Sequence, residues 1–166
     1  MNIFFLHRSA PICAKYHADK HVVKMILECA QLLSSAHHHF GHQVTYKSTH
    51  MNHPCAVWVR ESRLHYMFVS DLGKALCREY AIRFGKQHKT SELIHGELLL
   101  PPVELTNSKW SDPPLVMPDE FKGKDIIESY QRYYASKNDT MSLRWFSGKR
   151  LPPLWFTLNI NEMAAA

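Results

Sequence analysis

From about Cys13 to His39 the chain carries strong helix formers and neither glycine nor proline, and it stops at Gly41, a helix terminator. The segment predicts one long helix. Its apolar residues are Val22, Val23, Met25, Ile26, Leu27, Cys29, Ala30, Leu32, Leu33 and Ala36. At about 100° per residue they cover well over half of the circumference, the pattern of a helix enclosed by protein. The polar residues do not scatter. His17, His21, Lys24, Glu28, Gln31, Ser35 and His38 are spaced 4, 3, 4, 3, 4, 3 and share one face. Buried charges are paired or solvated, so this row is either the solvent face of the helix or the wall of a wet cleft. A plain solvent face is more often repeated Glu, Lys and Arg. A mixture of His, Glu, Lys and an amide is the makeup of an acid–base or binding cleft.

The rest of the chain also reads as mostly helical. MNIFFLH is a short strand or an extended N-terminal arm, and residues 41–52 form a polar loop with an extended piece at Val44 to Tyr46. Asn52-His53-Pro54 starts a helix, since proline suits the first turn. Apolar positions Val57, Trp58, Leu64, Met67 and Phe68 follow, and a further helix runs from about Asp71 to Phe84 with Gly85 closing it. Thr90 or Ser91 caps a short helix to Leu100. Residues 101–118 hold five prolines and form a loop anchored by Val103, Leu105, Trp110, Leu115 and Met117. A helix from about Lys124 to Ser136, a helical turn near Thr140 to Phe146 and a tail with Trp155 and Phe156 complete the chain. The expected fold is all-α: a single compact helical domain, residues 1–166, with a long first helix and an extended N-terminal arm. At 166 residues and 45% hydrophobic the chain has the length and the apolar material for one core. No segment approaches the roughly 18–20 apolar residues of a membrane span, and MNIFFLHRSAP lacks the basic region of a signal peptide. Cys13, Cys29, Cys55 and Cys77 form no CxxC pair, which suits reduced core thiols in a cytoplasmic protein.

Net charge +5 and a pI near 9.0 suit a polyanionic partner such as nucleic acid. Two stretches mix cations with rings, the pattern that fits a phosphodiester backbone and unstacked bases. The first offers Arg60, Arg63, Arg83, Lys86 and His88 as substrate contacts. The second, which also carries Arg132, Tyr133, Tyr134 and Lys137, offers Arg144, Trp145 and Lys149. The twelve histidines raise the question of a metal. Cys13, His17 and His21 have one-face spacing, but residue 18 is alanine, so there is no HExxH, and no second ligand cluster is evident. A metal-free, cofactor-free site is expected, with a zinc hydrolase as the lesser alternative. Phosphate-cradling glycine loops and the G-x-S-x-G elbow are absent, which removes support for triphosphate chemistry and serine hydrolysis.

Ala18-Asp19-Lys20-His21, with Glu28 seven residues after the histidine, resembles the first helix of the small pyrimidine-dimer DNA glycosylases of the endonuclease V type. Asn52-His53-Pro54 resembles a segment of their bacterial relatives. Pro118-Asp119-Glu120-Phe121-Lys122-Gly123 and Arg144-Trp145-Phe146-Ser147-Gly148-Lys149 resemble the C-terminal third. Over its whole length the chain is similar to a set of phage proteins that open NIFFL and carry DKHVVKM, NHP and EYxxRFGKxH. The resemblance implies a DNA glycosylase, with or without AP-lyase activity, acting on damaged or modified pyrimidines. It implies an α-amine nucleophile, at Met1 or Asn2, attacking the sugar C1′, with Glu28 managing protons. It implies that His21 bonds sugar or phosphate and that His17, Lys24, Gln31 and His53 line the substrate. Leu27 and Gln31 stand where that family carries arginines. A pocket that binds a nucleotide-like small molecule without cleaving it is the alternative of a different class.

Overall fold

The long apolar segment is helical, but in two pieces. The computed structural model describes residues 2–145 and 149–165, with side chains described to residue 160. Helix α1 spans Ala10–Tyr16 and α2 spans Asp19–His39, with His17 and Ala18 extended between them (ψ 134° and 159°). Nothing in the local sequence forbids helix there; the break is held from outside. Arg83 donates to the carbonyls of His17 (2.7 Å) and Lys15 (3.0 Å) at the end of α1 and pairs with Asp19 (3.1 Å) at the start of α2. The Ala18 N–H donates to Tyr134 Oη and the Asp19 N–H to the Arg144 carbonyl. Distant groups thus satisfy the helix-end donors and acceptors that a continuous helix would have paired internally.

Helix α3 spans Pro54–Glu61 and α4 spans Arg63–Phe84. Proline sits in the first turn of α3, as expected, and His53 caps it by accepting from the Cys55 N–H. The break before α4 falls at Ser62, not near residue 70, because the Ser62 hydroxyl accepts from the Leu64 N–H and Asn107 O takes the Arg63 N–H. Gly85, at φ +69°, closes α4 in the left-handed conformation. Helix α5 covers only Ser91–His95, Thr90 makes no side-chain cap, and the expected run to Leu100 ends at Gly96. Then come a 3₁₀ turn at Asp119–Phe121, α6 (Ile126–Ser136), α7 (Asn138–Met141) and α8 (Leu154–Ala165). The tail expected at Trp155 and Phe156 is therefore a helix. Phe146, the expected end of the preceding turn, lies outside the described residues, as do Ser147 and Gly148. Among the described residues there is no strand, and Val44 to Tyr46 is loop.

Helices α2 and α4 run antiparallel, with Asp19 beside Arg83 at one end and His37 bonded to Tyr66 at the other. At Gly73 of α4 a Cβ would meet Ile94 Cδ1 of α5 at 3.2 Å and Cys29 Cβ of α2 at 3.4 Å, so the glycine lets both helices close on α4. Helices α1 and α5 pack on α4, α3 packs on both α2 and α4, and α6 carries α7 and α8. No helix among the described residues is long and apolar enough to cross a membrane.

The arm, residues 2–6, is irregular yet almost wholly buried: Ile3, Phe4, Phe5 and Leu6 enter the core. Burying four such side chains contributes on the order of 6–12 kcal/mol gross. That offsets the ~1–2 kcal/mol per residue that fixing a backbone costs. Its polar groups find partners one by one. Cys13 Sγ donates to Phe4 O, Gln131 to Leu6 O, and the Phe4 N–H to Asn2 Oδ1. The loop at 101–118 straps the arm down. Trp110 packs on Phe5, Phe68 and Trp58, and Val116 O accepts from Asn2 Nδ2. Leu105 and Met117 anchor this loop as expected; Val103, 75% exposed, does not.

Candidate functional site

Where the arm crosses α2 and α6 the surface opens into a cleft of about 380 Å³ lined by Asn2, Phe4, His21, Lys24, Glu28, Val116, Tyr133, Lys137, Thr140 and Met141. Helix α2 supplies His21, Lys24 and Glu28 from its polar row. The α6–α7 region supplies the opposite wall, and the arm the floor. Phe4 takes a positive φ of 44°, a strained conformation for a bulky residue. The turn is closed by the Leu6 N–H donating to Phe4 O at 2.8 Å. That pinch sets the Phe4 ring 5.2 Å from His21 and 5.0 Å from Tyr134, and it turns Asn2 back over α2.

The result is the central contact of the site. The Asn2 backbone nitrogen donates to Glu28 Oε2 at 2.8 Å. Glu28 is only 9% exposed, and its other oxygen lies 3.4 Å from Lys24 Nζ, whose side chain is 61% exposed. The charge of Glu28 also reaches His53, the α3 cap, whose pKa is lowered by partial burial and raised in turn by that carboxylate. His21, 2% exposed, has Nδ1 2.7 Å from Tyr134 Oη. Burial, and after it the charges of Lys24, Lys137 and Lys20, lower its pKa to about 4, so it is neutral at pH 7. Lys137 lies over the Tyr133 ring at 4.1 Å. The cleft is thus a small, half-closed space with a carboxylate, a neutral imidazole, a lysine rim and aromatic walls. Such a set can hold an anionic group and move a proton at a neighbouring atom.

The structure brings Asn2, His21, Lys24 and Glu28 into one site and places His53 within reach of its charge. Met1 lies outside the described residues. Gln31, one turn beyond Glu28, is half-buried and does not line the cleft. His17 has left the row: its Nδ1 bonds Cys13 O at 2.7 Å, and complete burial lowers its pKa to about 3. Arg83 is equally enclosed, its side chain 0% exposed in the α1–α2 clasp. Trp145 packs in the core against Phe156, where it offers no ring for stacking. Lys149 donates to the Ile82 carbonyl at the end of α4, and His88 packs against Tyr80. Arg60 holds the Met51 carbonyl, while Arg63 and Lys86 are exposed elsewhere on the surface. Arg144 lines, with Asp19, Lys20 and Ser142, a neighbouring hollow of about 360 Å³. Lys20 joins the two hollows by donating to the Met141 carbonyl.

Among the described residues no three His, Cys, Asp or Glu side chains group as a metal would need. Cys13, His17 and His21 do not converge for zinc. Cys13 Sγ donates to Phe4 O, and burial pushes its thiol up to about 12. Phe4, Tyr133 and Lys137, with Val116, Thr140 and Met141, are lining residues the sequence reading did not single out as contacts. Tyr133 and Lys137 sit in its second cation–aromatic stretch, whereas the positive φ of Phe4 has no sequence signature. No family model, curated protein or solved structure matches this chain.

Proposed function

We propose that the protein is a DNA glycosylase with AP-lyase activity, acting on a damaged or modified pyrimidine nucleotide. The observation that carries this reading is the 2.8 Å contact between the residue 2 nitrogen and Glu28, deep in a lysine-rimmed cleft. The α-amine, at Met1 or at Asn2 once Met1 is removed, attacks C1′ of the sugar. The glycosidic bond breaks and the base leaves with the bonding electrons and a proton. Glu28 takes one proton from the amine and hands it to the leaving base, and the second N–H proton passes to O4′ as the C1′–O4′ bond breaks and an imine forms. Removal of a C2′ proton then expels the 3′ phosphate. Lys24 and Lys137 are placed to meet the phosphates of a strand whose target nucleotide is turned out of the stack.

Borohydride trapping on a duplex with a single abasic site tests the reading. The expected product is a covalent protein–DNA adduct on the α-amine, located by mass spectrometry of the N-terminal peptide. Glu28→Gln is expected to lower its yield about 100-fold or more, the usual size of a lost general base. No adduct, together with no salt-sensitive retention of DNA, overturns the proposal. A nucleotide that co-purifies without any adduct would identify the cleft as a pocket that binds and does not cleave.

A further inference from the structure

We infer that Tyr134 is a positioning residue that locks His21 in the Nε2–H tautomer, so that the cleft presents a neutral N–H donor to a phosphate oxygen. The assignment of that oxygen to a DNA strand rests on the function proposed above; the tautomer does not. Tyr134 is fully buried, and its hydroxyl makes two contacts. It lies 2.8 Å from the Ala18 nitrogen and 2.7 Å from His21 Nδ1. The first has only one polarity, since a backbone N–H donates. Tyr134 Oη therefore accepts there; were it also to accept from His21, its own proton would be buried without an acceptor, so that proton goes to His21 Nδ1. An imidazole that accepts at Nδ1 and is neutral carries its proton on Nε2.

The surroundings hold the ring in that state. Phe4, 5.2 Å away, and Tyr134, edge-on at 4.9 Å, wedge the imidazole against a flip. The groups around it are Lys20, Lys24 and Glu28 on α2, Lys137 between α6 and α7, the hydroxyl of Tyr134, and the neutral ring of His17 just before α2. Burial first, and then three lysines, keep the ring uncharged, and the lysines draw an anion to the same place. A neutral imidazole then adds a directed hydrogen bond without adding charge. The placement of Ala18 gives the arrangement a second consequence. The hydroxyl that fixes the tautomer also takes the N–H of Ala18, the second residue of the break between α1 and α2, so Tyr134 sets both where His21 sits and which nitrogen it shows.

Two-dimensional ¹⁵N–¹H NMR of the histidine rings tests this directly. In the wild-type protein His21 is expected as Nε2–H at pH 7, with no protonation above about pH 5. Inorganic phosphate is expected to shift its signals. In Tyr134→Phe the two tautomers mix and the titration moves up toward the ordinary histidine range. Affinity for an oligonucleotide carrying a tetrahydrofuran abasic analogue is expected to fall about tenfold in His21→Ala, the size of a lost hydrogen bond to a charged group. It is expected to recover in His21→Gln, whose amide N–H reaches the Nε2 position. An Nδ1–H tautomer in the wild type, an unchanged tautomer in Tyr134→Phe, or phosphate that leaves His21 unmoved overturns the inference. Should Tyr134→Phe not fold, the wild-type tautomer and the phosphate titration decide alone. Absence of a borohydride adduct removes the lyase reading and leaves these signals as expected.

Discussion

Asp19 and Glu28 stand nine residues apart on α2 and belong to charge clusters of opposite character. Around Asp19 the cation is fully used. Arg83 uses all five guanidinium N–H groups, on Glu79, Asp19 and the carbonyls of Lys15 and His17. Glu79 in turn takes two bonds from Arg150 at 2.9 and 2.7 Å. Around Glu28 the partners are fewer: one backbone N–H and a lysine at 3.4 Å. Lys137, across the cleft, rests on a ring. Both clusters place charge in or beside the core. The first is saturated by the protein and serves the fold. The second keeps unused hydrogen-bonding capacity turned toward an open space, the condition for taking a ligand.

The largest effect that separates the two is expected at Arg83. Arg83→Met removes the donors that Asp19 and the Lys15 and His17 carbonyls share and leaves Glu79 with Arg150, and should cost about 3 kcal/mol. For a chain of this size that is a fall in Tm of roughly 10 °C by calorimetry. A loss below about 1 kcal/mol would mean that the clasp does not organise the α1–α2 break. Acid comes next. His17 and His21 have folded pKa values lowered to about 3 and about 4. The unfolded chain therefore takes up protons near pH 6.5 that the folded chain refuses. Stability should fall as pH drops from 6.5 to 4, by up to about 1.4 kcal/mol per pH unit for each ring. Urea midpoints at pH 7, 5.5 and 4.5 measure it, and His21→Gln should remove about half of the slope; a flat profile would contradict the burial of both rings.

Lys137→Ala should reduce the salt dependence of binding to abasic duplex by about one phosphate contact. Lys86→Ala, at a position away from the cleft, should leave that slope alone, and equal effects at the two would erase the distinction between cleft and general surface. The smallest stability effect is expected at Glu28. Glu28→Gln keeps an acceptor for the Asn2 N–H and should change folding free energy by under about 1 kcal/mol. A cost above about 3 kcal/mol would place Glu28 with the saturated cluster.

The polar row on α2 was legible because helical spacing alone puts His21, Lys24 and Glu28 on one face. The Asn-His-Pro start and the Gly85 stop were legible because backbone chemistry is local. What was not legible depends on long-range contacts. Residues 17 and 18 have helical neighbours and leave the helix only because Arg83 and Tyr134 hold them out. Arg83 reads as a surface cation until the four acceptors of its five hydrogen bonds are seen to meet around it. EYxxRFGKxH reads as a basic patch, yet Glu79 and Arg83 build an ion cluster, Tyr80 packs on Phe84 and His88, and Gly85 ends the helix. Trp145 looked available for stacking because its neighbours are cations, but its ring lies on Phe156.

The cleft also has a history within the folding of the chain. Glu28 belongs to the first fifth of the sequence, but its facing wall comes from residues 116, 133, 137, 140 and 141. The contacts that set the arm join residues 2 and 116, 6 and 131, and 18 and 134. Closing loops that long costs entropy that local contacts do not repay. During synthesis α2 and α4 emerge before the 101–118 strap and α6 that cover the arm. A chain stopped after α5 would lack the wall that faces Glu28. The cleft at the first residues is therefore completed only by the last third of the chain.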